Sequence, residues 1–191
     1  YKFLGRAWVF RYLPFVDFVL AAGSLATGNI HHHSDFDVLI SVHQGRIFTT
    51  RAIAVMVFGF LGWRRRKLSH QEEAADKICL NHFITNKSWP LSPPYGFYWQ
   101  KLYQNLVPVF GEPTMINDFW KTNQEWMKKI VVCREDLRYS KNSVSGIKKV
   151  LEVISGGRLG NGLETILKSI QIRRIEKSLK TSQSGYQPRI K

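Results

Sequence analysis

Leu4, Trp8 and Tyr12 recur at helical spacing, with Phe3 and Val9 beside them and Arg6 and Arg11 between, so residues 2–13 are expected to form a helix that Pro14 stops. The period then shortens. Residues 16–22, apolar except for Asp17, end abruptly at Gly23 and read as a buried strand. In the next strand Phe36, Val38 and Ile40 point to a core, while Asp35 and Asp37 share the other face. Residues 52–63 are apolar on every face. A bilayer span needs roughly twenty such residues, and Arg51 on one side with Arg64, Arg65, Arg66 and Lys67 on the other leaves no room for one. A buried connecting helix is expected, with Thr50 as its cap and the arginines at its negative end. Residues 77–84 make a third strand. Alternation sets Ile78, Leu80 and Ile84 on its core face and Lys77, Cys79, Asn81 and Phe83 on the other.

Beyond Thr85 the composition shifts. Pro90, Pro93 and Pro94 mark a connector. Aromatic-rich helices are expected over residues 98–106 and 117–132, their rings serving as core more than as base-stacking platforms. A polar stretch to Ser145 precedes a helix at residues 146–154, a glycine-rich turn at 156–162 and a helix at 163–179. In that last helix Leu163, Ile166, Leu167 and Ile170 form one stripe. Ile172, Ile175 and Leu179 form another, nearly opposite, and Arg173, Arg174 and Lys177 continue the first as a basic ridge. Such a helix meets two surfaces, one of them a helical partner or a second copy. The expected organisation is a core over residues 1–88, a helical region over 89–180 and a disordered basic tail over 181–191.

Composition bounds the class. With 191 residues, 44% of them hydrophobic, the chain buries a sizeable core. Cys79 and Cys133 lack ligand spacing and read as buried thiols of a reducing, cytoplasmic protein. The chain starts at Tyr1 without an initiator methionine and has no recognisable signal peptide. Its net charge is +14, and residues 134–191 carry 13 basic against 5 acidic groups, compared with 15 against 9 before them. That excess favours polyanions such as RNA.

Candidate chemistry concentrates between Gly23 and Ile40. Gly23 opens a turn, Ser24, Leu25 and Ala26 start a short helix whose N–H groups suit phosphate, and Gly28 closes it. Two carboxylates sharing a strand face repel each other. A bound cation relieves them, most commonly Mg²⁺ held by carboxylates and substrate phosphates. His31, His32 and His33 read as a solvated turn, because successive side chains do not converge on one ion; Arg51 is a candidate phosphate contact. The plainer alternative is an ordinary strand, glycine turn and surface aspartates.

At Gly23-Ser24, Gly28 and Asp35-Phe36-Asp37 the chain resembles the nucleotidyltransferase superfamily related to DNA polymerase β, in particular its small single-domain members. The resemblance covers residues 15–42 directly and extends loosely to about residue 85. It implies an α+β fold with a small mixed sheet of three to five strands flanked by helices, followed by a helical region. It also implies Mg²⁺- or Mn²⁺-dependent transfer from a nucleoside triphosphate (NTP), with Asp35 and Asp37 as catalytic metal ligands and Gly23, Ser24 and Gly28 at the nucleotide. Active members that look like this carry a third acidic residue on the next strand. Alternation offers Asn81 there, which accepts a contact but is no general base. Asp76 lies on the opposite parity, and Glu72 and Glu73 precede the strand. Two further readings stay open: a nucleotide- or nucleic-acid-binding protein of this fold that has lost turnover and acts in a regulatory, antitoxin-like role, and a membrane-surface protein using residues 52–67.

Overall fold

The computed structural model describes residues 2–29, 34–65, 75–127 and 145–184, with side chains of the last stretch as far as residue 177. Its sheet grows outward from two antiparallel strands, β1 (Val16–Ala21) and β2 (Phe36–Val42). β3 (Ile78–Ile84) joins β2 in parallel, and β4 (Val107–Gly111) joins β1 antiparallel, giving the order β3-β2-β1-β4. A parallel pair needs a long crossover, supplied here by α3 (Ile47–Phe60). The protein is therefore α+β, with an open mixed four-stranded sheet.

Each face of the sheet is covered. On one side α1 (Leu4–Ala7), the 3-10 turn Trp8–Tyr12 and α3 bury Phe10 and Phe58 against Val19, Val38 and Ile40. On the other, α4 (Phe97–Gln104) and α5 (Pro113–Met127) pack Tyr103, Phe119 and Trp120 against Phe18, Leu20 and Leu39. Tyr103, Phe119 and Trp120 are core, as the spacing suggests, whereas Tyr95, Phe97 and Tyr98 are exposed. α2 (Gly23–Thr27) bridges β1 and β2.

Several elements differ from expectation. β4 is a strand where helical sequence was expected to dominate, and it carries the sheet across residue 88. Pro108, which has no N–H to give a ladder, is tolerated because β4 lies at the sheet edge. Gly111 pairs with Phe18 at φ +126°, where an added Cβ would fall 2.3 Å from the Phe18 Cβ. The first helix is split into an α turn and a 3-10 turn. α3 buries Ala54 and Phe58 but exposes Met56 and Phe60, so it is not enclosed on every face. Among the described residues, no helix is long and apolar enough to cross a membrane.

Two helices complete the described chain. α6 (Gly146–Ile154) has the expected bounds. α7 (Gly157–Ser184) starts six residues before the expected Leu163, absorbing the glycine-rich turn, and runs into the expected tail. Gly160 permits the early start, since a Cβ there would lie 1.9 Å from the Ser155 carbonyl oxygen.

Carboxylates tie both helices to the body. Glu164 of α7 accepts hydrogen bonds from the backbone N–H of Phe48 (2.9 Å) and of Thr49 (2.8 Å) and from the Thr49 hydroxyl (2.6 Å). It thus caps α3 from another helix, the role expected of Thr50. The Thr50 hydroxyl instead donates to the Pro14 carbonyl at 3.2 Å. Replacing Glu164 with Ala leaves these donors unpaired at the positive end of α3. A loss of about 1–2 kcal/mol in urea-denaturation free energy is expected, with Glu164→Gln recovering part of it.

A second anchor is electrostatic. β1 bulges at Asp17, where two of its residues oppose one of β2. The buried Asp17 carboxylate pairs with His43 (Nε2 to Oδ1, 2.9 Å) and accepts from the Ser41 hydroxyl at 3.4 Å. The hydrogen bond to Asp17 outweighs burial and raises the His43 pKa. A pKa raised on folding adds stability that is full below the unfolded value, roughly 6.5, and is lost as pH rises through the folded value. The stability difference between wild type and His43→Gln, measured by urea denaturation, is therefore expected to be larger at about pH 5 than at about pH 9.

Candidate functional site

Register brings the site together. Asp37 stands on the face of β2 that also carries Leu39 and Ser41, and the ladder sets Cys79 of β3 directly opposite it. Ligand atoms of Asp35, Asp37 and Cys79 lie within 4.8 Å of one another. The chain reverses over them at Gly23. The Ala22 N–H donates to the Asp37 carbonyl at 2.9 Å, and Gly23 has φ +60°. A Cβ at Gly23 would stand 2.6 Å from Asp37 Oδ2, so both the turn and the close approach require glycine.

Ser24 follows in α2, half-buried, and the Thr27 hydroxyl donates to the carbonyls of Gly23 and Ser24 at 3.3 Å each. Gly28, at φ +73°, ends the helix. The first N–H groups of any helix lack intrahelical acceptors, so this turn offers donors beside the carboxylates.

Positive charge reaches the site from an unexpected direction. After α3 the chain runs alongside β3: Arg64 bridges Ile78, and the Arg65 N–H donates to the Ile78 carbonyl at 2.9 Å. The Arg65 guanidinium is thereby held against Asp35 and donates to its Oδ2. In the sequence this arginine was read only as part of a helix-terminal cluster. The adjacent Arg66 and Lys67 lie outside the described residues.

Burial, and then the charge of Asp35, push the Asp37 pKa up. Burial and the Asp37 charge push the Cys79 thiol up to about 12, so it is neutral at pH 7. His82, opposite Leu39 and edge-on to Trp99 at 5.4 Å, is held neutral by burial, which outweighs the attraction of Asp37.

The expected third position needs correction. Asp37 to Leu39 on β2 faces Cys79 to His82 on β3, one residue more, so β3 carries an irregularity between them. Parity flips there. Cys79 and His82 share the face of Asp37, Phe83 packs with the α3-side core, and Ile84 packs with the opposite one. Asn81 falls within the irregular step and is exposed; Cys79 is the residue beside Asp37.

Other candidates lie elsewhere. Asp76 accepts from Lys2 Nζ at 2.6 Å. Arg51 is half-buried on α3, its pKa lowered by burial and by Arg64. Glu72, Glu73, His31, His32, His33 and Cys133 lie outside the described residues. A bulge leaves little trace in an apolar run, but Asn-His inside Leu80–Phe83 was a polar break where strict alternation deserved less weight.

Neither models of known protein families, nor curated proteins, nor solved structures match this chain.

A thiol with a pKa near 12 reacts slowly, because the thiolate is the nucleophile. In a Cys133→Ser background, native Cys79 is expected to alkylate with iodoacetamide at about pH 8 on the order of a thousandfold more slowly than free cysteine, and at the ordinary rate once unfolded.

Proposed function

We propose that the protein is a Mg²⁺-dependent nucleotidyltransferase that moves a nucleoside monophosphate from an NTP to a hydroxyl acceptor. The convergence of Asp35 and Asp37 beneath the Gly23 turn carries this reading. The donor set suits a hard cation: two carboxylate oxygens are Mg²⁺ or Mn²⁺ ligands, and the burial and the Asp35 charge that together raise the Asp37 pKa are what a bound cation would offset. Neutral Cys79 adds no charge and is a poor ligand for such an ion. When bound, the ion supplies charge neutralisation and alignment of the triphosphate.

The chain's own groups then divide the work. Asp35 and Asp37 hold the ion, the Ser24 hydroxyl and the N–H groups of the turn hold phosphate, and Gly23 leaves room for both. Arg65 balances Asp35 and would also meet phosphate charge. Gly28 closes the turn; Asn81 and Arg51 are left without a role in this arrangement. The acceptor oxygen attacks the α-phosphorus in line, forming the new P–O bond as the bond to pyrophosphate breaks and the hydroxyl proton passes to water. A net charge of +14 favours RNA or another polyanion as acceptor.

One observation favours a second reading, a nucleotide-binding protein of regulatory role without turnover. Cys79 stands where the resemblance implies a third carboxylate, and a neutral thiol does not take up a proton. Purified protein incubated with radiolabelled NTPs, Mg²⁺ and mixed RNA is expected to give label transfer that falls at least about a hundredfold in Asp35→Ala with Asp37→Ala. Calorimetric NTP binding without transfer, lost in the double variant, selects the second reading, and transfer gained by Cys79→Asp would confirm it. Neither binding nor transfer by wild type overturns both.

A further inference from the structure

α6 and α7 are turned inside out. In a surface helix the apolar stripe normally faces the core and the charged face meets water. Here the polar groups face inward. Lys148 Nζ donates to the Val16 carbonyl at 2.7 Å, and Glu152 accepts from the Phe15 N–H at 2.8 Å, one helical turn along the same face of α6. On α7, Glu164 caps α3 and the Gln171 amide donates to the Phe48 carbonyl at 2.8 Å.

Many apolar side chains of both helices are left outside, while Leu151, Leu167 and Ile172 are half-buried. On α6, Ile147, Val150 and Val153 are exposed, Val153 to 80%, and at ~100° per residue they point nearly opposite to Lys148 and Glu152. On α7, Leu159, Leu163, Ile166 and Ile170 are exposed, Leu159 to 87%. Their spacing of four, three and four residues confines them to one narrow arc, continued by Arg173 and Lys177. Stripes of this kind on two successive helices mark an interaction surface.

The charges around them select the occupant. Lys149, Arg158, Lys168, Arg173, Arg174 and Lys177 are exposed, and Glu176 is the one exposed carboxylate among the described side chains of α6 and α7. The other two, Glu152 and Glu164, are turned inward onto backbone N–H groups. A second copy would bring the same positive rim against itself, a like-charge contact that opposes self-association. Beside the apolar part of the α7 stripe stand Gly162, Leu167 and Ser169, and the charged flanking residues Arg174 and Glu176 come only after its last apolar residue, Ile170. An apolar stripe with a basic rim, needing no register and a negative counterpart, fits the interface of an anionic bilayer.

We propose that α6 and α7 form a docking surface for an anionic lipid bilayer, with the apolar stripes entering the headgroup boundary and the basic rim meeting lipid phosphate. This surface is separate from the Asp35–Asp37 site and does not depend on its chemistry.

Co-sedimentation of the full chain with vesicles tests it. Binding to phosphatidylcholine vesicles containing about a quarter phosphatidylserine, at ~0.15 M salt, is expected to be at least about tenfold stronger than to phosphatidylcholine alone. Ile166→Glu with Ile170→Glu, at two exposed positions, is expected to weaken binding about tenfold or more while the circular dichroism spectrum is unchanged. Arg173→Ala with Arg174→Ala is expected to reduce the preference for phosphatidylserine and supplies an independent variant. Absence of sedimentation, equal binding to both vesicles or unchanged binding by both variants overturns the proposal. So does a lipid-free dimer in light scattering that the glutamate variant converts to monomer, which would assign the surface to a second copy.

Discussion

Two carboxylates two residues apart on one strand face repel each other, and the surrounding fold is arranged around that repulsion. Asp35 is answered by Arg65, held by backbone bonds that continue the sheet past β3. At Asp37, burial and the Asp35 charge outweigh the hydrogen bond to Cys79 and the charge of Arg65 and raise its pKa, and the facing strand position offers it a neutral thiol. The Gly23 turn presses on the same carboxylate from above, at a distance that excludes any side chain. Strand register, crossover and turn thus converge on one electrostatic problem. The negative charge of the two aspartates is left only partly compensated, which is the condition the proposed Mg²⁺ would relieve.

Carboxylates solve a different problem at the other end of the sheet. Glu164 and Glu152 sit on α7 and α6 and satisfy backbone N–H groups of α3 and of the segment before β1, while Asp17 meets His43 at a bulge. Polar anchoring of this kind fixes a helix at particular points without burying its apolar side chains. The same geometry explains both why α7 crosses the start of α3 and why Leu163, Ile166 and Ile170 remain outside. Hydrogen bonds fix direction where apolar contact would have fixed area.

What could be read in the sequence follows from which signals are local. Gly23, Ser24, Gly28 and the Asp35–Asp37 alternation were legible, because turn chemistry and strand period act over a few residues. Phe119 and Trp120 were legible as core, though Phe97 and Tyr98 are exposed, and α6 was legible to the residue. Cys79 was not legible as the neighbour of Asp37: an extra residue in β3 reverses parity, and alternation carried past it assigns Asn81. β4 was hidden by Pro108, which argues against a strand until the strand is known to be an edge. Arg65 and Glu164 act across 30 and more than 100 residues, and no local pattern announces such partners. Helical periodicity found the α7 stripes but not which side faces the body, since Glu164 and Gln171 override the usual orientation.

The neutral thiol also bears on what the site does with charge. Arg65 meets Asp35, Asp37 stands beside the pair, and Cys79 contributes no charge at pH 7. In the proposed arrangement a divalent cation on the two aspartates would offset their charge, with Arg65 beside the phosphates that come with it. A third carboxylate at position 79 would add negative charge and supply a base in the same stroke. Under the proposed reading, the groups that would hold a metal and phosphate are present while a group that would take the acceptor's proton is not. Binding and proton removal would then be separate tasks for this chain, which is why the two readings of the site differ in turnover and not in binding.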